Sequence, residues 1–177
     1  MRAAALLTAC LISAGAQAGP FLDAGDGTLA GVPLGTPEAQ AVPELLVIFG
    51  TAKDTGWTIG CPHDGLDVRV LSWGSLYAEF QEQGGRPVLV RWSYLLDSGT
   101  GEAFLDGPEP ADIRLPGGGR VGDTFAEVVQ GYGGQPSVDE NFGVAFFVGE
   151  GFAIGTYQPD VTAPITQVGV PTFGFCN

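Results

Sequence analysis

The chain has 177 residues, 20 acidic side chains against 7 Lys and Arg, and a formal net charge of −13. That balance repels phosphate backbones and anionic bilayer surfaces, which disfavours nucleic-acid binding and electrostatic membrane association. With 45% hydrophobic residues, the length suits one domain or two small ones sharing a core.

The first residues predict export. Met1-Arg2 is a short positive start, Ala3 to Ala14 is mostly apolar, and Ala16-Gln17-Ala18 supplies the small residues of a signal-peptidase site. Residues 1–18 read as a signal peptide cleaved after Ala18, giving a periplasmic or secreted protein. The apolar run is too short to span a bilayer and no later stretch reaches that length, so no integral membrane segment is expected. Leu7-Thr8-Ala9-Cys10 offers the competing reading of a lipobox that would leave a lipid-anchored Cys10. The apolar run before it, Ala3 to Ala9, is short for such a signal. Cleavage removes Arg2 and takes the formal charge from −13 to −14. Acidity of that order keeps an exported protein soluble.

Loss of Cys10 leaves Cys61 and Cys176, an even pair in an oxidising compartment. Neither has His or Cys company at ligand spacing, and there is no C-x-x-C. A structural disulfide is therefore expected rather than a metal or redox pair. It would close a loop of well over a hundred residues, and in the chain-entropy model it stabilises by about 4–5 kcal/mol.

Gly19 to Ala30, rich in Gly and Asp, reads as an irregular lead-in. Its Asp23-Ala-Gly-Asp26-Gly27 lacks the alternating acidic ligands and closing Glu of a calcium loop. Thr36 is placed to cap a helix with Pro37 at the first helical position and Glu38 in the first turn. Pro43 kinks that helix or divides it into 37–42 and 43–48, and Gly50 stops it. Asp67 to Leu71, Ser75 to Gln81 and Pro87 to Leu95 follow as strands. Leu76, Ala78 and Phe80 alternate with Tyr77, Glu79 and Gln81, which predicts antiparallel strands with one face on the helix. Residues 97–118, rich in Gly, Pro and Asp, read as a linker. Asp123 then caps a short helix, Thr124 to Gln130. Strands fit Val144 to Val148, Phe152 to Tyr157 and Ile165 to Val170.

Two stretches share one pattern. Gly31-Val-Pro-Leu-Gly35-Thr36-Pro37 closes with Phe49-Gly50, and Gly119-Arg-Val-Gly122-Asp123-Thr124 closes with Tyr132-Gly133. Each sets an apolar-Gly pair before a cap, a helix and an aromatic-Gly pair, with strands to follow. A duplicated unit predicts an α+β fold of two tandem repeats, residues 19–96 and 119–177. Each repeat is a short helical segment packed on an antiparallel sheet of about three strands.

Leu34-Gly35-Thr36-Pro37-Glu38-Ala39, Phe49-Gly50, Asp54-Thr-Gly-Trp57, Cys61-Pro62, Trp73-Gly74-Ser75-Leu76, Val121-Gly122-Asp123-Thr124 and Cys176 together resemble an uncharacterised family of exported bacterial envelope proteins. More remotely, the Gly, cap, helix, Gly and three-strand order resembles the BamE/SmpA outer-membrane assembly lipoproteins. In tandem it resembles the β-lactamase inhibitory protein. Both groups act by binding proteins, so the resemblance implies a protein partner and no catalytic residue, metal or cofactor. The chain departs from the lipoproteins in lacking a convincing lipobox and in Pro43.

Four features invite a chemical reading. Leu95-Leu96-Asp97-Ser98-Gly99-Thr100 resembles the catalytic loop of an aspartic protease, with Ala153-Ile154-Gly155 downstream, and one copy would need a homodimer to supply a second Asp97. Asp-Ser-Gly after a strand is also ordinary turn chemistry, inside the expected linker. His63 is the one histidine and has neither a nucleophile elbow nor metal-ligand company. Gly117-Gly-Gly-Arg120 lacks the Lys and Ser/Thr of a phosphate loop. Among the aromatics, Trp92 and Tyr94 share a face with Val88 and Val90 and read as core. Tyr77 alternates with core residues and is the candidate protein contact. The expected function is a non-catalytic, protein-binding envelope or secreted module. A hydrolase using Asp97 and a purely structural envelope component are the alternatives.

Overall fold

Alternating apolar residues do build strands over the middle and the end of the chain, and they meet in one sheet. The computed structural model describes residues 21–59, 66–96, 112–140 and 143–172. The first half comprises β1 (Phe21–Asp23), β2 (Thr28–Leu29), β3 (Val32–Pro33), α1 (Glu38–Phe49), β4 (Lys53–Ile59), β5 (Asp67–Trp73), β6 (Leu76–Gln83) and β7 (Arg86–Leu95). The second comprises β8 (Asp112–Arg114), a 3-10 turn (Pro116–Gly118), α2 (Phe125–Gln130), β9 (Ser137–Asp139), β10 (Gly143–Val148), β11 (Phe152–Thr156) and β12 (Gln167–Val170).

The expectation of an α+β fold of two repeats, each with its own sheet, does not hold. The described residues are mostly β, with 50% in strand and one eight-stranded antiparallel sheet in the order β4-β5-β6-β7-β12-β11-β10-β9. The physical reason is a continuous apolar row. Trp73, Leu76, Tyr94, Val168, Ile154 and Phe146 are successive cross-strand partners from β5 to β10, and all six are buried. A break between β7 and β12 would expose two apolar edges at once. Their pairing, Trp92 on Val170 and Tyr94 on Val168, removes both.

The helices cover that row. On α1, Ala41 and Leu45 are fully buried. Its end is pinned where Trp73 Nε1 donates to the Gly50 carbonyl at 3.0 Å, with the Phe49 and Trp73 rings 5.2 Å apart. Pro43 neither kinks α1 apart nor divides it. Both Pro43 and Ala39, whose carbonyl loses its helical donor, face solvent. Thr36 does not cap the helix either, because its hydroxyl donates to the Pro33 carbonyl at 2.7 Å. Phe125 and Val129 of α2 join the same core, and Tyr132 stacks on Phe146 at 6.1 Å.

The two Gly-centred segments make matching bonds, the first to β7 and the second to the stretch leading into β12. Gly35 N–H donates to the Leu89 carbonyl at 2.7 Å, and Leu89 N–H donates to the Thr36 carbonyl at 2.9 Å. Gly122 N–H donates to the Ile165 carbonyl, and Ile165 N–H to the Asp123 carbonyl, both at 2.9 Å. The described parts of the expected lead-in and linker carry strands. β1 and β8 pair in parallel and bury Leu22 and Ile113.

Candidate functional site

The outermost strand β4 is the least covered part of the sheet. Every one of its seven residues is exposed, and among the described residues no strand neighbours its outer backbone edge. A bulge divides it. Thr55 and Gly56 together face Val70, with the register shifting between Asp54 and Trp57. Gly56 takes φ +65° there, a conformation that costs a residue with a Cβ. Its N–H donates to Asp54 Oδ1 at 2.8 Å, while Val70 N–H donates to Thr55 Oγ1 at 3.0 Å. Bulges and charges of this kind blunt sheet edges against random pairing.

Beyond the bulge, Trp57 is 43% exposed and Ile59 70% exposed. Their cross-strand partners are Arg69 and Asp67. Arg69 shares the face of Leu71 and Trp73, the face that α1 covers further into the sheet. Trp57 and Ile59 therefore point to the helix side, where no helix lies over them. Between α1 and this uncovered margin runs a groove of about 380 Å³, walled by Val42, Leu46, Ala52 and Leu71, with Asp54 and Arg69 at its polar end.

The groove is held open by ion pairs. Arg69 donates from Nε to Asp54 Oδ1 at 3.0 Å and from Nη2 to Asp54 Oδ2 at 2.5 Å. Its Nη1 pairs with Glu38 Oε1 at the start of α1. Hydrogen bonds from the Arg69 guanidinium, and then from the Gly56 N–H, hold the Asp54 carboxyl below the usual carboxylate range. Asp54 in turn raises the Arg69 pKa. One guanidinium thus bolts the edge strand to the helix.

Of the residues singled out from sequence, Cys10, Cys61, His63, Asp97 and Cys176 lie outside the described residues. Tyr77 is described, and it is half-buried. It lies on the sheet face opposite the helices, between its cross-strand partners Ser72 and Ser93, which are themselves buried. Burial, with Tyr157 adding to it, pushes its phenol up to about 12. Trp92 and Tyr94 are core, but a bulge in β7 sets Leu89 rather than Val88 on their face. Gly117 and Gly119 line a hollow of about 230 Å³ whose charged walls are Asp123 and Glu127, the wrong sign for phosphate. Among the described residues no three His, Cys, Asp or Glu side chains group as a metal site. No described helix is long and apolar enough to cross a membrane.

The sequence reading overlooked Trp57 and Ile59 because no strand was expected there. Their spacing of two on either side of a polar Thr58 was the available signal. Compared with protein-family models, curated proteins and solved structures, the chain matches none.

Proposed function

We propose that this chain is an exported module that binds another protein without covalent chemistry, and that the β4 margin is its contact surface. One observation carries the reading: a seven-residue edge strand exposed throughout, presenting Trp57 and Ile59 beside an apolar groove. Large apolar side chains at a rigid edge are the kind of anchor that interfaces use. The opposite edge, β9, has three residues and no aromatic, so it offers less. Export rests on the Ala16-Gln17-Ala18 signal.

A photo-crosslinking residue placed at Ile59, with a control at the exposed Glu82 near the end of β6, tests this in the native envelope. A stoichiometric adduct formed from position 59 and absent from position 82 is expected. Equal capture at both positions, or none, removes β4 as the contact. Hydrolytic activity that Asp97→Asn abolishes overturns the non-catalytic reading.

A further inference from the structure

We infer that the occupant of the α1–β4 groove is an extended segment of another protein, carrying an apolar anchor side chain flanked by basic residues. The inference rests on the protein-binding reading above and goes on to the chemistry of the partner.

Shape selects the anchor. At about 380 Å³ the groove falls within the about 300–1,000 Å³ typical of binding clefts. Its long walls are aliphatic: Val42 and Leu46 from α1, Ala52 and Leu71 from the sheet side. Leu46 remains 39% exposed at its lip. A leucine or aromatic side chain laid there removes apolar surface on both walls.

Backbone selects an extended segment. Past the Thr55–Gly56 bulge, Trp57, Thr58 and Ile59 run as regular strand, and no described strand pairs with their outer edge. A chain added at that edge places every second side chain on the groove side, in line with Trp57 and Ile59.

Charge selects the flanking residues. On the groove face, Glu38, Asp54 and Asp67 stand against a single guanidinium, Arg69, whose donors are already directed at Glu38 and Asp54. Lys53 is paired in register with Ser72 and so belongs to the opposite face. The chain as a whole carries −13. A basic segment is therefore attracted at long range and at the groove, whereas an acidic segment or a second copy of this chain is repelled.

The test uses the full mature chain and three capped octapeptides with Thr at the four alternate positions. Their groove-side positions read Lys-Val-Val-Lys, Lys-Ser-Ser-Lys or Glu-Val-Val-Glu, here the Val-Lys, Ser-Lys and Val-Glu peptides. Trp57 is the reporter, since Trp73 is 5% and Trp92 0% exposed. The Val-Lys peptide should blue-shift the emission, shield it from acrylamide, and bind at least tenfold more tightly than the Ser-Lys peptide. The Val-Glu peptide should not bind. Leu46→Glu should weaken Val-Lys binding at least tenfold. Asp67→Lys, at an exposed position, supplies the same test if the first variant fails to fold. Equal binding of the two Lys peptides, or binding untouched by both variants, shows simple ion condensation and overturns the inference. Tighter binding of the Val-Glu peptide overturns it too. The two readings fail separately. A position-59 adduct to an acidic partner segment sinks this inference and leaves the contact surface standing, whereas absence of any adduct removes the contact surface itself.

Discussion

Asp54 and Arg69 face each other from neighbouring strands as a two-pronged pair, Nε to Oδ1 and Nη2 to Oδ2, at 3.0 and 2.5 Å. The third prong reaches Glu38 on α1, so the least covered strand is tied to the helix through one side chain. Bidentate geometry makes the pair more specific than an ordinary surface contact. The Asp54 side chain nevertheless stays 40% exposed, and water screens it.

Arg69→Ala should therefore cost only about 1 kcal/mol in urea unfolding. Its larger effect should be local. Amide exchange across β4 should accelerate well beyond that of β6 or β7, since β4 loses its tie to α1 while the rest of the sheet keeps its core. Uniform acceleration would show that the pair holds the whole fold.

The same pair sets a pH response. Because the Asp54 pKa is lowered on folding, its contribution is present above the unfolded value of about 3.9 and disappears as pH falls through the lower folded value. The stability difference between the wild type and Asp54→Asn should be constant near neutrality and shrink below about pH 4. A difference that does not change with pH would rule out the pairing.

Tyr77 behaves in the opposite sense. Its phenol, pushed up to about 12 by burial, stays neutral in the folded protein where an unfolded tyrosine at about 10 would ionise. The stability it contributes is complete below about pH 10 and is lost as the pH rises toward the folded value. Tyr77→Phe should remove one high-pH step from the phenolate titration and flatten the alkaline loss of stability. It should leave capture at position 59 intact, because Tyr77 lies on the other face.

Two glycines separate close packing from torsion. A Cβ on Gly143 would lie 2.0 Å from the Thr156 carbonyl oxygen, at φ +88°. Gly143→Ala should cost about 3 kcal/mol or more, since backbone must move. At Gly56 φ is +65° and nothing lies within 4 Å, so Gly56→Ala should cost about 1 kcal/mol. Thermal or urea midpoints of the two variants decide it.

α1 offers a further contrast. Leu45 is fully buried and Val47 is 87% exposed. Leu45→Ala should destabilise by about 2–5 kcal/mol, and Val47→Ala by less than about 0.5.

Much of the sheet was legible, and its limits were physical. β5 to β7 and β10 to β12 announce themselves by alternation, because one face of each meets the core. β4 did not, since the Thr55–Gly56 bulge breaks its period and nothing buries it. β9 is three exposed residues. β1 and β8 exist through pairing with each other, a partnership no local window contains. The merger of the sheets depends on Trp92 meeting Val170, nearly eighty positions away. Tyr77 was singled out on a sound rule, that the residue between core positions faces away from the helix. On an interior strand that rule leaves it half-buried, between Ser72 and Ser93. Trp57 and Ile59 carried the stronger signal in a segment too irregular to read as a strand.

The β7–β12 seam also sets an order of events. Among the described strands of the sheet, β12 is the last to be synthesised, yet it occupies an interior place. Until Gln167–Val170 arrives, β7 and β11 each present an apolar edge with no strand to meet it. A nascent or truncated chain that stops short of Val170 is thus two half-sheets rather than one nearly finished sheet. Its exposed edges are the places where chaperones, or other unfinished copies, would take hold.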